Sequence, residues 1–259
     1  MRILMIGDVV GASGCNFLRR HLPALKKVKG VDVCIANGEN SAVGNGITPA
    51  SAQHLFDSGV DFITTGNHVF GRREVYPFLD ERGDIIRPAN YCAENPGSGF
   101  GVIDMGRAQI AVLNLSGNAF LPDNTENVFL CAERLLPQLA KYKIIIVDLH
   151  AESTGEKRAV GFFLDGKVSV VAGTHTHVLT ADDQILPNGT GYITDLGMTG
   201  PKQSVLGVKP EIIIGKMRTG MPARFDVSDT KDCMLTGCLF DVDTKTGRTA
   251  ATERVCIES

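Results

Sequence analysis

Five short, apolar, β-rich runs each end on residues able to hold a metal ion, and that repeated juxtaposition narrows the folds open to this chain. The runs are Arg2 to Ile6, Val31 to Ala36, Val60 to Thr65, Lys143 to Leu149 and Val168 to Ala172. Helical patterns alternate with them through the first half, which predicts α/β layers. The residues that close the runs are polar: Gly7-Asp8, Gly38-Glu39-Asn40, Gly66-Asn67-His68, His150, and Gly173-Thr174-His175-Thr176-His177. In an open α/β sheet the carboxyl ends of the strands border one crevice, so the five loops are expected to converge there.

Carboxylate oxygens, amide oxygens and neutral imidazoles together suit iron, manganese or zinc better than magnesium or calcium. Four of the six histidines, His68, His150, His175 and His177, lie in these loops beside Asp8 and Glu39. His21 and His54 fall inside helical patterns and read as packing or surface residues. Glycine before Asp8, Glu39 and Asn67, with Gly173 two residues before His175, predicts sharp turns and close approach of the backbone to an ion or phosphate. On an extended segment, His175-x-His177 would place both rings on one face, because side chains alternate with period two. Asn37 and Asn45 read as turn residues. Asp148 is either a group that orients the His150 ring or a structural carboxylate.

The remainder fits one globular unit over 1–259. With 43% hydrophobic and 21% charged residues, the chain can bury a single large core, and no repeat, low-complexity tract or proline-rich linker divides it. A net charge of -3 excludes a broad nucleic-acid-binding field but allows local phosphate binding. The apolar start, Met1 to Ile6, is too short for a signal-peptide core or a membrane span, so a cytoplasmic location is expected. Seven scattered cysteines without a C-x-x-C pair read as reduced, small apolar residues. Leu18, Leu22 and Leu25 predict a helix that Pro23 kinks or ends. Thr48-Pro49 predicts an N-cap and first-turn proline for a second helix, which Gly59 closes. Phe100 to Met105 and Gln109 to Leu115 predict a hairpin around Gly106-Arg107. After Tyr192 we expect strands and turns, including Met234 to Val242 and Thr249 to Ile257, with no second helical layer.

A competing reading starts from Gly7-x-x-x-Gly11-x-x-Gly14, where glycines after a first strand could admit a pyrophosphate to a helix N-terminus. The spacing is not that of a dinucleotide-binding loop, and Asp8 would set a negative charge against the phosphate.

In order and type the five blocks resemble the calcineurin-like metallophosphoesterases. Two departures, Val10 where the wider superfamily has a second early ligand and Glu39 in place of a bridging Asp, together with Ala-Asn-Gly-Glu-Asn and Ala-Gly-Thr-His-Thr-His, make the chain similar to the YmdB family of that superfamily. The resemblance covers nearly the whole chain and implies a four-layer α/β/β/α sandwich with two divalent metal ions per chain, iron or manganese foremost and zinc as a further choice. Asp8, Glu39, Asn40 and His177 would hold one ion, and Glu39, Asn67, His150 and His175 the other, with Glu39 bridging. It implies phosphodiester hydrolysis, with 2′,3′-cyclic nucleotides such as 2′,3′-cyclic AMP as substrates. A metal-bridging hydroxide would attack and His68 would act as general acid. Phe70, Tyr91 and Phe120 are rings able to stack a base. Two other readings stay open: a metal-containing regulatory protein that binds a phosphorylated ligand with little turnover, and a dinuclear hydrolase of a non-phosphate ester or amide. The expected partner is a small phosphodiester, with no membrane and no broad nucleic-acid surface; a homo-oligomer is left open.

Overall fold

A computed structural model of the chain describes residues 1–259 apart from 122 and 229. The first half runs β1 (Arg2–Ile6), β2 (Asp8–Val9), α1 (Gly11–Lys29), β3 (Val33–Asn37), α2 (Pro49–Asp57), β4 (Phe62–Thr64), α3 (Tyr76–Glu81), β5 (Phe100–Asp104) and β6 (Gln109–Ser116). There follow α4 (Val128–Leu139), β7 (Ile144–His150), α5 (Thr154–Leu164), β8 (Val170–Thr174), β9 (Gln184–Ile185), β10 (Gly191–Ile193), β11 (Met198–Pro201), α6 (Pro210–Thr219), β12 (Cys233–Val242) and β13 (Thr249–Glu258). One sheet has the order β2-β11-β12-β1-β3-β4, with β13 paired to β12, and the other β5-β6-β7-β8-β10-β9. Parallel pairing joins β1-β3-β4 in the first and β6-β7-β8-β10 in the second.

Alternation along these strands explains the layers. Ile3, Met5, Val33 and Ile35 share a core with Ile110, Val112, Ile144, Ile146, Val170 and Ala172, so this set fills the space between the two sheets. The residues in between face outward: Leu4, Ile6, Cys34 and Ala36 pack on Leu18 and Leu22 of α1 and Leu55 of α2. Ala111, Leu113, Ile145, Val147 and Val171 pack on Leu139 of α4 and on Val160 and Leu164 of α5. The result is helix, sheet, sheet, helix, the four-layer sandwich expected. With both strand faces covered, the strands read as unbroken apolar runs instead of a polar alternation.

Thr48 caps α2 by accepting from the Ser51 amide, Pro49 opens it, and Gly59 follows its end at a φ of 102°. The Gly106 hairpin and the β12-β13 pair form as expected. Pro23 neither ends nor interrupts α1. It lies on the exposed face, as does Arg19 one turn earlier, so the carbonyl left without a helical donor faces water. The C-terminal part also contains a helix that the patterning did not predict, α6, opened by Pro210 and closed by left-handed Gly220. Only Ile213 of that helix is buried, so it has almost no apolar stripe to read. Among the described residues no helix is long and apolar enough to cross a membrane.

Gly7 and Gly14 are accounted for by packing. A Cβ at Gly14 would sit 2.3 Å from the Thr199 carbonyl oxygen, and one at Gly7 2.1 Å from that of Gly197. Backbone of the β11 segment therefore occupies the space a pyrophosphate would need. Gly14→Ala should lower stability by about 1–3 kcal/mol through overpacking, read as an earlier denaturant midpoint at unchanged slope; an unshifted midpoint would contradict this packing.

Candidate metal centre

The inward parity that builds the core between the sheets continues past its apolar part. Residues 33 and 35 lead to Asn37, 110 and 112 to Asn114, 144 and 146 to Asp148 and His150, and 170 and 172 to Thr174, all of them buried. At the carboxyl ends of the parallel strands the layer thus turns polar without changing face. Asn37 is more than a turn residue: its amide donates to Thr65 O and Asp148 Oδ2, both at 3.2 Å, so it ties the two sheets together.

All eight candidate residues come together at this end, in two groups that meet at Glu39. In the first, Asn40 Nδ2 lies 3.3 Å from each of Asp8 Oδ1, Glu39 Oε1 and His177 Nε2. In the second, His150 Nε2 lies 2.9 Å from Asn67 Oδ1 and 3.0 Å from both Glu39 Oε1 and His175 Nδ1. Each group thus presents three acceptor atoms to a single N–H donor, the setting a cation satisfies better than a shared proton. Turned about its Cβ–Cγ bond, Asn40 offers an oxygen to the same point. Glu39, His150 and His175 each offer a ligand atom within 4.8 Å of the others. The donor set therefore fits a pair of divalent ions.

Neighbours fix which ring nitrogen of each histidine faces inward. His150 Nδ1 lies 2.9 Å from Thr174 Oγ1, which itself donates to Asp148 Oδ1 at 2.7 Å, so Nδ1 carries the hydrogen and Nε2 faces the cluster. Asp148 also accepts from Thr64 Oγ1 and therefore acts on the ring through Thr174. His177 Nδ1 donates to Leu206 O at 2.9 Å, leaving Nε2 inward. His175 turns the other way: Nε2 is 3.3 Å from Glu152 Oε2 and Nδ1 faces His150.

The expected extended His175-x-His177 segment does not form. β8 ends at Thr174, and His175 and His177 have φ values of 98° and 64°. Each such residue stores strain of order 1–3 kcal/mol, and the two rings reach the cluster through this bend instead of through strand alternation. The glycines also act differently from expectation, since Gly7, Gly38, Gly66 and Gly173 are absent from the left-handed positions. A Cβ on Gly66 would lie 2.3 Å from the His150 ring and 2.4 Å from Glu39 Oε2; on Gly173 it would lie 1.8 Å from Thr194 O. Both positions lack room for a side chain.

Burial alone would raise the Asp8 carboxyl, but its hydrogen bond to His177 and the nearby imidazole charges hold it well below the ordinary carboxylate range. Burial opposes ionisation of Glu39 too and is outweighed by His150, so its pKa is lowered. His150 resists protonation through burial, yet Glu39 and Asp8 lift it to about 9. Burial and the neighbouring His150 push His175 down to about 4. The proton on His150 is the one an ion would displace. A raised histidine pKa contributes stability that is complete below the ordinary value of 6.5 and is lost as pH rises through about 9. Chelated protein should therefore lose thermal stability between these pH values, while the gain on adding Mn²⁺ grows over the same interval. A gain that shrinks with rising pH would contradict the exchange of proton for ion.

Residues 4–255 match the family described as YmdB-like protein. The chain belongs to that family. A 2′,3′-cyclic-nucleotide 2′-phosphodiesterase of Bacillus subtilis (strain 168) is 43% identical over 258 residues, covering 99% of this chain and 97% of the relative. A crystal structure described as a novel phosphatase, from Mycoplasma pneumoniae, superposes with a TM-score of 0.94 at 36% identity, over 100% of this chain and 93% of the other. A 5′-nucleotidase structure from Staphylococcus aureus, at 15% identity and a TM-score of 0.60 over 98% of this chain and 54% of the other, shares the fold.

In this YmdB-like chain a groove of about 830 Å³ opens over the cluster, between Val43, Asn45, His68 and Arg72 on one side and Leu206 and Phe225 on the other. The His68 backbone donates to Glu39 Oε2 at 3.0 Å, while its ring nitrogen Nδ1 lies 3.2 Å from Asn45 Nδ2. With Asn45 donating, the hydrogen of a neutral His68 ring sits on Nε2. Arg72 braces that loop through the Val43 and Asn45 carbonyls at 2.6 and 3.0 Å. Sequence reasoning did not nominate Asn45, Glu152 or Phe225; only Glu152, two residues past His150, carried a positional hint. Of the rings it did name, Phe70 and Tyr91 stack edge-on against each other, and neither they nor Phe120 line the groove.

Proposed function

We propose that this YmdB-like protein is a metal-dependent phosphodiesterase that opens 2′,3′-cyclic nucleotides such as 2′,3′-cyclic AMP. The observation that carries the reading is the double convergence of acceptors on Glu39, three around Asn40 Nδ2 and three around His150 Nε2. Asp8, Glu39, Asn40 and His177 would hold one ion, and Glu39, Asn67, His150 and His175 the other. Bound there, two divalent ions supply charge to the phosphoryl oxygens and lower the pKa of water. The mixed oxygen and nitrogen donors suit iron or manganese, with zinc also accommodated. Seven free thiols fit a reducing compartment, so we place the activity in the cytoplasm.

The chain's own groups complete the reaction. Water adds to phosphorus, the bond from phosphorus to one ribose oxygen breaks, and that oxygen takes the proton from His68 Nε2; solvent reprotonates the ring. Asn45 keeps the Nε2 hydrogen facing the groove, and Phe225 offers a face on which a base can stack. Mn²⁺-loaded protein assayed on 2′,3′-cyclic nucleotides, linear diesters and monoesters tests this. Preferred opening of the cyclic diesters is expected; equal rates on monoesters, or no hydrolysis of any of them, would overturn the substrate reading.

A further inference from the structure

The loop that carries His175 and His177 bends through two left-handed residues, so something must hold it there. Behind it lies an ion pair for which the proposed chemistry has no use. Lys157 comes from the first turns of α5 and Asp195 from the turn after β10. Their side chains are 1% and 0% exposed, with Nζ 2.6 Å from Oδ2. Lys157 Nζ also donates to Thr174 O at 2.7 Å. Asp195 Oδ2 accepts from the Thr176 amide at 3.1 Å, and Oδ1 accepts from that of Gly197 at 2.9 Å. From the opposite side, Asp8 Oδ2 accepts from the His175 amide at 3.0 Å. Three consecutive residues are thereby pinned, Thr174 by its carbonyl and His175 and Thr176 by their amides.

A buried ion pair is a poor source of net stability, because desolvation cancels most of its attraction, and apolar residues of similar size would join α5 to the sheet equally well. Apolar residues could not receive the Thr176 amide or donate to the Thr174 carbonyl. We propose that Lys157 and Asp195 are positioning residues that hold the 174–177 loop in its ion-binding shape before an ion arrives. The proposal rests on reading His175 and His177 as ion ligands. Neither Lys157 nor Asp195 needs to touch ion or substrate for this, and the pair acts wholly through the backbone between the two rings.

Hydrogen exchange on the unaltered, chelated protein gives the direct test. The amides of His175 and Thr176 should be as protected as those of β8, with little further gain on adding Mn²⁺. Rapid exchange that slows only with Mn²⁺ would show that the ion shapes the loop and would overturn the proposal. A second test uses Lys157→Met with Asp195→Asn, which removes both buried charges. Its ion-free melting temperature should stay close to wild type while Mn²⁺ affinity falls about ten- to a hundredfold; wild-type affinity would overturn the proposal. Should this variant fail to fold, the exchange result on the unaltered chain decides. Failure of the metal reading itself is distinguishable, since the wild-type protein would then bind no Mn²⁺.

Discussion

Glu39→Gln is expected to cost the chain both ions and to lower phosphodiester turnover by about three orders of magnitude. The substitution keeps the shape of a side chain that is fully buried, so packing loss contributes little. What goes is the negative charge common to both groups, since Glu39 Oε1 faces Asn40 at 3.3 Å and His150 at 3.0 Å. Two cations this close repel, and an anion between them is what makes their proximity tolerable. The amide would have to present its oxygen to one partner and its NH₂ to another, although both now require acceptors. Asp8→Asn or His177→Ala should weaken mainly one ion, and His150→Ala or His175→Ala mainly the other. Elemental analysis alongside turnover separates these patterns. Two ions per chain at wild-type affinity in Glu39→Gln would remove Glu39 from the shared position.

The second large effect belongs to His68. His68→Asn should lower turnover of a 2′,3′-cyclic nucleotide by roughly a hundred- to ten-thousandfold with ion content unchanged. The ring holds no place in either acceptor group; its link to the cluster is the backbone N–H that donates to Glu39 Oε2, which the variant keeps. A diester with a 4-nitrophenolate leaving group needs no proton from the protein, so the loss should largely disappear on that substrate. An equal loss on both substrates would mean that His68 binds or positions phosphate instead of donating a proton.

The strand-end logic was legible in the chain because both strand faces are covered: the apolar runs are continuous, and the first polar residue after each marks the rim. Alternation carries the inward face from Ile144 and Ile146 to Asp148 and His150, so the site is an extension of the core between the sheets. Backbone conformation was less legible. Histidine is no sign of a left-handed residue, and the bend at His175 and His177 is imposed by Lys157, Asp195 and Asp8, each far away in sequence. Asn45 looked like a turn residue and is one, with a φ of 100°; its contact with His68 arises only because Arg72 folds that loop over the groove. Pro23 and α6 share a cause. Patterning reports burial, and an exposed proline or a helix with one buried residue leaves almost no trace in it.

The central claim is that two ions held around Glu39 enable this YmdB-like chain to hydrolyse a cyclic phosphodiester. Titrating Mn²⁺ into chelated protein, while following bound metal and hydrolysis of 2′,3′-cyclic AMP in the same samples, tests it most directly. The account predicts saturation at two ions per chain, with turnover absent from chelated protein and appearing only as the second ion binds. Full turnover in chelated protein, or saturation at a single ion with full activity, would contradict it.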